Sequence, residues 1–398
     1  MMWLYGSGGS GKSAIAQTIA EHCSEAGKLA AAFFFSRTKL DSNTVDPLCR
    51  TLAWQLLHSI PETSAYIASA IKEDWLLRSK SESIILHFER LIVKPLEKAL
   101  GGKRPQKHIV VIDGVGECGF ELIQKRILKL IGETLLSQRI TLRFLIASRP
   151  EAHICETFQS LNDIDHLSTI VRYALPDDHH TETLEDIRMY LKDELWRIYE
   201  ARDIEPLLWL DESMIDTLVY EPPQRFLYAA TVVMFVDDID HDPRQRLDIV
   251  LRLHSAMIAS PLVVQSTLVS TYPYAMLDAL YMHILSQESV DYKFTMAVLK
   301  HIVGMPRPST WSLKRSFKIN EVELYAKIRS LYPLLRISGD VVEAYSNSFI
   351  EFLQDKSRAG KYYVGLLATT FNPTRIASQL VHSFRESPES ALTAFTLP

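Results

Sequence analysis

Near its start the chain reads Gly6-Ser7-Gly8-Gly9-Ser10-Gly11-Lys12-Ser13, and this octet restricts the fold more than any other feature. The pattern is G-x-x-x-x-G-K-S. Glycines at Gly6, Gly8, Gly9 and Gly11 let the backbone curl with its N–H groups turned inward, around phosphate oxygens. A helix starting directly afterwards adds the positive end of its dipole. Lys12 then reaches the β and γ phosphates of a nucleotide, Ser10 lines the loop, and the Ser13 hydroxyl is placed to ligate Mg²⁺. The flanks agree with this reading. Met1 to Tyr5 is an apolar strand, and Ile15, Ala16, Ile19, Ala20 and Cys23 give the following helix one apolar face, with Gly27 at its end.

A second element completes the phosphate site. Ile109-Val110-Val111-Ile112-Asp113 is an apolar strand ending in a carboxylate, the arrangement that holds Mg²⁺ through water beside a phosphate loop. An apolar run ending in Asp is common by itself, where the acid merely caps the strand; its pairing with the glycine loop gives it meaning. Glu117, four residues on, is the candidate to orient or deprotonate an attacking water. Asp113-Gly114-Val115-Gly116 also spells D-x-x-G, and Thr38-Lys39-Leu40-Asp41 resembles a guanine-reading motif. Their order is the reverse of that in GTPases, so residues 38–41 are read as a solvated loop. Arg149, after the apolar run Phe144 to Ala147, stands at the sheet edge where open parallel sheets carry their ligands, and is the candidate sensor of a γ phosphate.

Around these motifs, strands alternate with helices. Leu29 to Phe35 and Ile170 to Tyr173 are further strands, and Leu48 to Leu57 and Ile84 to Leu100 are helical. The expected fold class is α/β, a P-loop NTPase parallel sheet with helices on both faces, followed by helical and winged-helix-like domains. After Pro176 the helical period dominates, in Thr183 to Glu200, Phe226 to Val236, Arg244 to Met257 and Met276 to Ser286. Then Leu334 to Ile337, the turn signal Gly339-Asp340, and Val341-Val342 suggest a small hairpin. A purely helical module is the alternative for that last part. The expected boundaries are 1–176 for nucleotide binding, 177–286 helical, 287–360 winged-helix-like and 361–398 a truncated C-terminal helical segment.

The 398 residues are 47% hydrophobic with a net charge of −5, enough to bury sizeable cores. No basic run stands out, which argues against nucleic acid as a partner. The longest apolar run, Phe226 to Val236, falls short of the roughly 20 residues a bilayer demands, and no secretory signal is recognisable. Cys23, Cys49, Cys118 and Cys155 lack the spacing of metal sites and are expected to be reduced thiols of a cytoplasmic protein.

Together these residues resemble the NACHT family of signal-transduction (STAND) ATPases, above all its fungal, NLR-like branch with the nephrocystin-3-like N-terminal domain. Trp3-Leu4-Tyr5-Gly6 leading into Gly11-Lys12-Ser13-Ala14-Ile15-Ala16 resembles that branch's phosphate loop, and Ala32 to Arg37 its second strand. Leu52-Ala53-Trp54-Gln55-Leu56 resembles its next helix, and Asp113-Gly114 through Glu117-Cys118 its acidic turn. Phe144 to Glu151 resembles its sensor strand, Tyr228 to Val232 its helical domain, and Ser348-Phe349 with Phe352-Leu353 its winged helix. The resemblance implies ATP and ADP as ligands with Mg²⁺, a closed ADP state that ATP opens, and self-association or partner proteins bound through the NACHT domain.

Three departures stand against that pattern. Gly116 replaces the family's second acidic residue. Ser346 falls where a histidine normally contacts the ADP phosphate. The segment that normally precedes the first strand has no counterpart, nor do an effector module or repeats, so the chain is expected to be a fragment or shortened paralogue. The resulting expectation is a nucleotide-binding switch with weak or absent hydrolysis. The alternative is a degenerate NACHT scaffold or interaction module without nucleotide-driven switching; a turnover-driven kinase or motor is disfavoured because no substrate-binding insertion is recognisable.

Overall fold

The computed structural model describes residues 1–35, 46–73, 84–100, 108–164, 170–175, 181–202, 210–219, 226–258, 274–287, 289–304 and 308–365. The segment 38–41, and Ser36 and Arg37 of the second-strand resemblance, lie outside them, as does nearly all of the expected C-terminal segment.

The N-terminal part is a five-stranded sheet in the order β2-β3-β4-β1-β5. Its strands are β1 (Met2–Tyr5), β2 (Leu29–Phe34), β3 (Ile109–Asp113), β4 (Arg143–Ser148) and β5 (Val171–Ala174). Every pairing is parallel. Parallel strands need crossover helices, which cover both faces of the sheet. Here they are α1 (Lys12–Glu25) on one face, and α2 (Asp46–Ser59), α6 (Glu121–Leu136) and α7 (Ala152–Ile164) on the other.

The two faces divide the strand residues by alternation. Leu4, Val111, Leu145 and Ala147 pack with Ala16 and Ala20 of α1. The small alanines let that helix lie close to the strands, near the loop. Trp3, Val110, Ile112, Phe144 and Ile146 point the other way, into the larger cluster with α2, α6 and α7. There Trp3 stacks on Phe158 at 4.2 Å and donates its indole N–H to Ser148 Oγ at 2.9 Å.

At one sheet edge, β2 is closed by side chains. The Gln55 amide accepts from Ala32 N at 2.8 Å and donates to Ala32 O at 2.9 Å, and Ser59 Oγ donates to Ala30 O at 2.7 Å. This satisfies backbone groups that would otherwise invite another strand.

The helical stretch expected from Ile84 to Leu100 is not uniform. It runs as α4 (Ile84–Phe88), a π-helical turn (Glu89–Val93) and α5 (Lys94–Leu100), with α3 (Ser64–Glu73) packed alongside. Pro95 has no N–H and its ring crowds the preceding turn, and the widened turn falls just before it.

Helices dominate the rest: α8 (Thr181–Ala201), α9 (Glu212–Val219), α10 (Phe226–Val236), α11 (Pro243–Ile258), α12 (Ala275–Leu285), α13 (Tyr292–Gly304), α14 (Thr310–Phe317) and α15 (Glu321–Arg329). An antiparallel hairpin follows, β6 (Leu335–Ser338) and β7 (Val341–Ala344), turned at Gly339 with φ 60°. The chain then enters α16 (Asn347–Gln354). One continuous buried cluster runs from Ile187 to Val364 through both the helices and the hairpin. Among the described residues no helix is long and apolar enough to cross a membrane. All four cysteines are free; burial pushes the Cys49 and Cys118 thiols up to about 12, which leaves them unreactive.

Candidate nucleotide site

Sheet register brings the expected site residues together. Tyr5 pairs with Ser148, and Asp113 pairs with Ala147. The glycine loop after β1, Arg149 after β4 and the acidic turn after β3 therefore leave the sheet at one edge. Because β4 lies between β1 and β3, Arg149 emerges between the loop and Asp113.

The loop itself is shaped by its glycines. Gly9 and Gly11 have φ of 83° and 87°, a left-handed conformation that side chains rarely adopt. Gly11 is the residue before α1, and no side chain caps that helix start. A Cβ on Gly8 would stand 3.2 Å from the Arg149 guanidinium carbon, a tight contact with the end of a flexible side chain. Arg149 therefore lies over the loop. Lys12, buried, donates from Nζ to Gly6 O at 2.9 Å, to Ser7 O at 2.5 Å and to Ser10 Oγ at 3.2 Å. Leu175 after β5 and Phe226 at the start of α10 wall the loop on either side: a Cβ would stand 3.2 Å from Leu175 Cβ if built on Gly6, and 3.7 Å from Phe226 Cδ2 if built on Gly11.

Asp113 is 5% exposed. Burial pushes its carboxyl above the usual aspartate range, while a hydrogen bond with Ser13, the charge of Lys12 and the Gly114 N–H act in the opposite sense. Ser13 and Asp113 thus meet as two hard oxygen donors at the base of the loop. Among the described residues no three His, Cys, Asp or Glu side chains converge to hold a metal by themselves. The pair fits Mg²⁺, which keeps several waters and takes other ligands from phosphates. Gly114 turns the chain out of β3 with φ 74°, and a Cβ there would strike Phe35 O at 2.9 Å.

The two residues expected to act on the γ phosphate are both engaged by α16. Asn347 Nδ2 donates to Glu117 Oε2 at 2.6 Å. Arg149 pairs with Glu351 Oε1 at 2.8 Å. Burial weighs against the Arg149 charge, but Glu351, Tyr274 and Glu117 around it more than offset that and hold its pKa above the ordinary arginine value. Asn347 and Glu351 stand one helical turn apart, so they share a face; Ser348, Phe349, Phe352 and Leu353 are the buried residues of that helix.

Ser346 caps α16, its Oγ accepting from Ser348 N at 3.1 Å. Contact between this segment and the loop domain is made by its neighbour Asn347 and by Glu351, neither of which stands out in the sequence. Their only advance signal is the i, i+4 spacing on an amphipathic helix.

Residues 1–149 match the family described as nephrocystin 3, N-terminal. No curated protein matches the chain. Among solved structures, the chain is similar to the Orc1 protein of Aeropyrum pernix in complex with DNA, at 16% identity and a TM-score of 0.32, over 91% of this chain and 87% of that one. It is similar to Cdc6p of Pyrobaculum aerophilum at 11% identity and a TM-score of 0.33, over 88% and 86%. AMPPCP-bound DnaA from Aquifex aeolicus follows at 12% identity and a TM-score of 0.32, over 83% and 80%. Scores this low carry no functional argument. The matched family region contains the glycine loop, Asp113 and Glu117 and ends on Arg149, and it lies in a parallel sheet of P-loop NTPase type.

Proposed function

We propose that the chain is an ATP/ADP-binding signal-transduction switch of NACHT type, with hydrolysis weak or absent while α16 is docked. The observation that carries this reading is the double contact of α16 with Glu117 and Arg149. In this account Gly6, Gly8, Gly9, Ser10 and Gly11 shape the phosphate cradle, and Lys12 faces the β and γ phosphates. Ser13 and Asp113 hold Mg²⁺, which would screen phosphate charge. Glu117 orients water and Arg149 senses the γ phosphate.

Each contact of α16 occupies a group that the γ phosphate needs. Glu351 already neutralises Arg149, so a γ phosphate must compete for the same guanidinium. Asn347 ties up one Glu117 oxygen, which holds that carboxylate away from water. ADP offers no γ phosphate to compete, whereas ATP does, and a ligand shifts two conformations only through such differential contacts. Self-association or partner binding through this domain is part of the same proposal. Phe120 and Leu122, 82% and 75% exposed directly after the acidic turn, are the apolar residues such a contact would use.

The test is the nucleotide released when purified protein is denatured. Stoichiometric ADP or ATP supports the switch. Protein that is empty, and that also fails to take up added nucleotide, overturns it in favour of a scaffold whose domains are held by the same contacts.

A further inference from the structure

From α8 onward the chain shares one apolar core. Its buried cluster begins at Ile187 and ends at Val364, and the clusters of the sheet reach no further than Ile170 and Leu175. Inside that core, Tyr281 of α12 meets Phe349 and Phe352 of α16 edge-on, at centroid distances of 5.1 and 5.3 Å. All three rings are at most 2% exposed. Just after α16, Arg358 grips Asp278 of α12 with two hydrogen bonds of 2.9 and 2.8 Å, and its guanidinium lies over the Tyr274 ring at 4.6 Å. Tyr362 Oη donates to Leu285 O at 2.6 Å. A second tie joins α15 to the turn after α10. Arg329 donates to Asp240 at 2.9 Å and to the buried Asp238 at 3.4 Å, and Arg246 of α11 donates to the same Asp238 carboxylate at 2.8 Å.

Contact with the sheet is of another kind. Asn347 with Glu117 and Glu351 with Arg149 are polar pairs. The Arg149 and Glu351 side chains keep 34% and 24% exposure, against 11% and 13% for Arg358 and Asp278. Phe226 approaches Gly11 of the loop, yet it packs with the helical cluster. Polar, partly wet contacts let domains move apart, whereas parting a shared apolar core exposes that core to water.

We propose that the described residues from Thr181 to Val364 are a single moving body. When α16 leaves Glu117 and Arg149 it carries the helices α8 to α15 and the hairpin with it, so the opening lies between sheet and helices and not between α12 and α16. The inference rests on the reading of α16 as the element that leaves the site. It gives Arg358 and Asp278 a role apart from the phosphates: they keep α16 on its helical partner while nucleotide acts on the face that carries Asn347 and Glu351.

The test is pulsed electron paramagnetic resonance on spin-label pairs. Labels go on three exposed positions, Glu25→Cys in α1, Arg252→Cys in α11 and Lys356→Cys after α16, in a Cys23→Ser/Cys155→Ser background that leaves only buried thiols. Distances are measured with ADP, with a non-hydrolysable ATP analogue, and in Asn347→Ala/Glu351→Ala, which removes both polar pairs without nucleotide. Opening by the analogue or by the double variant should change the distances from position 25 to 252 and from 25 to 356 by more than about 2 Å, the scale of a domain rearrangement. The distance from 252 to 356 should stay within that margin. A change between 252 and 356, or movement of 356 while 252 keeps its distance from 25, overturns the inference and leaves the switch reading intact. Movement of both in the double variant but not with the analogue overturns the switch reading and supports the single body. No movement under either perturbation overturns the two together.

Discussion

Asn347 and Glu117, 230 positions apart in sequence, are joined by a 2.6 Å hydrogen bond between an amide N–H and a carboxylate oxygen. One turn along the same helix, Glu351 pairs with Arg149 at 2.8 Å. Two residues of the candidate site are thus held by one face of one helix, and the consequences can be measured separately.

Replacing Asn347 by Ala should free the Glu117 carboxylate without touching the phosphate loop. Single-turnover ATP hydrolysis should rise several-fold, and fluorescent ADP affinity should stay within about twofold, since a lost hydrogen bond to a charged group is worth about 1.5–3 kcal/mol only to the contact it served. Unchanged hydrolysis alongside tight ATP binding would show that Asn347 does not restrain Glu117.

Glu351→Ala should expose Arg149 to phosphate and tighten ATP relative to ADP. Both partners remain partly exposed, so the pair is worth about 1 kcal/mol or less to folding, and the melting temperature should move little. Equal gains for ATP and ADP would mean that Glu351 acts on the loop as a whole.

Lys12→Ala should lower affinity for both nucleotides by at least about tenfold, the loss expected for a buried charge-assisted contact. Because the ammonium also bridges Gly6 O, Ser7 O and Ser10 Oγ, circular dichroism should accompany the binding assay. A folded variant that binds like the parent contradicts the phosphate role.

Asp113→Asn tests the cost of the buried acid. Burial raises its carboxyl in the folded state, so the native protein holds that proton to higher pH than the unfolded chain does. Stability from this group is therefore full below the unfolded-state pKa and is lost as pH rises through the folded-state pKa. At neutral pH the amide should melt higher than the parent, the difference shrinking on acidification towards the ordinary aspartate range, while Mg²⁺-dependent nucleotide binding is lost. A variant less stable at neutral pH would contradict the assigned cost.

How much was legible in advance varies with the range of the interaction. The loop, Asp113 and Arg149 carry their meaning locally, since glycine spacing and strand ends are properties of a few adjacent residues. Strand alternation did the same for the sheet: Val110, Val111 and Ile112 were readable as a fully buried strand, and they pack into clusters on opposite faces. The π turn before Pro95 was not visible, because helical periodicity hardly changes across one widened turn. Asn347 and Glu351 were missed for a different reason. Each is a common polar residue at a helix end or face, and its partner is fixed only by how distant segments dock.

The central claim, that ATP releases α16 from the site, is tested most directly by hydrogen exchange of amides 347–354. The account predicts slow exchange with ADP, faster exchange with a non-hydrolysable ATP analogue, and no response in Lys12→Ala. Equal protection of this helix with ADP and with the ATP analogue, both at saturation, would contradict it.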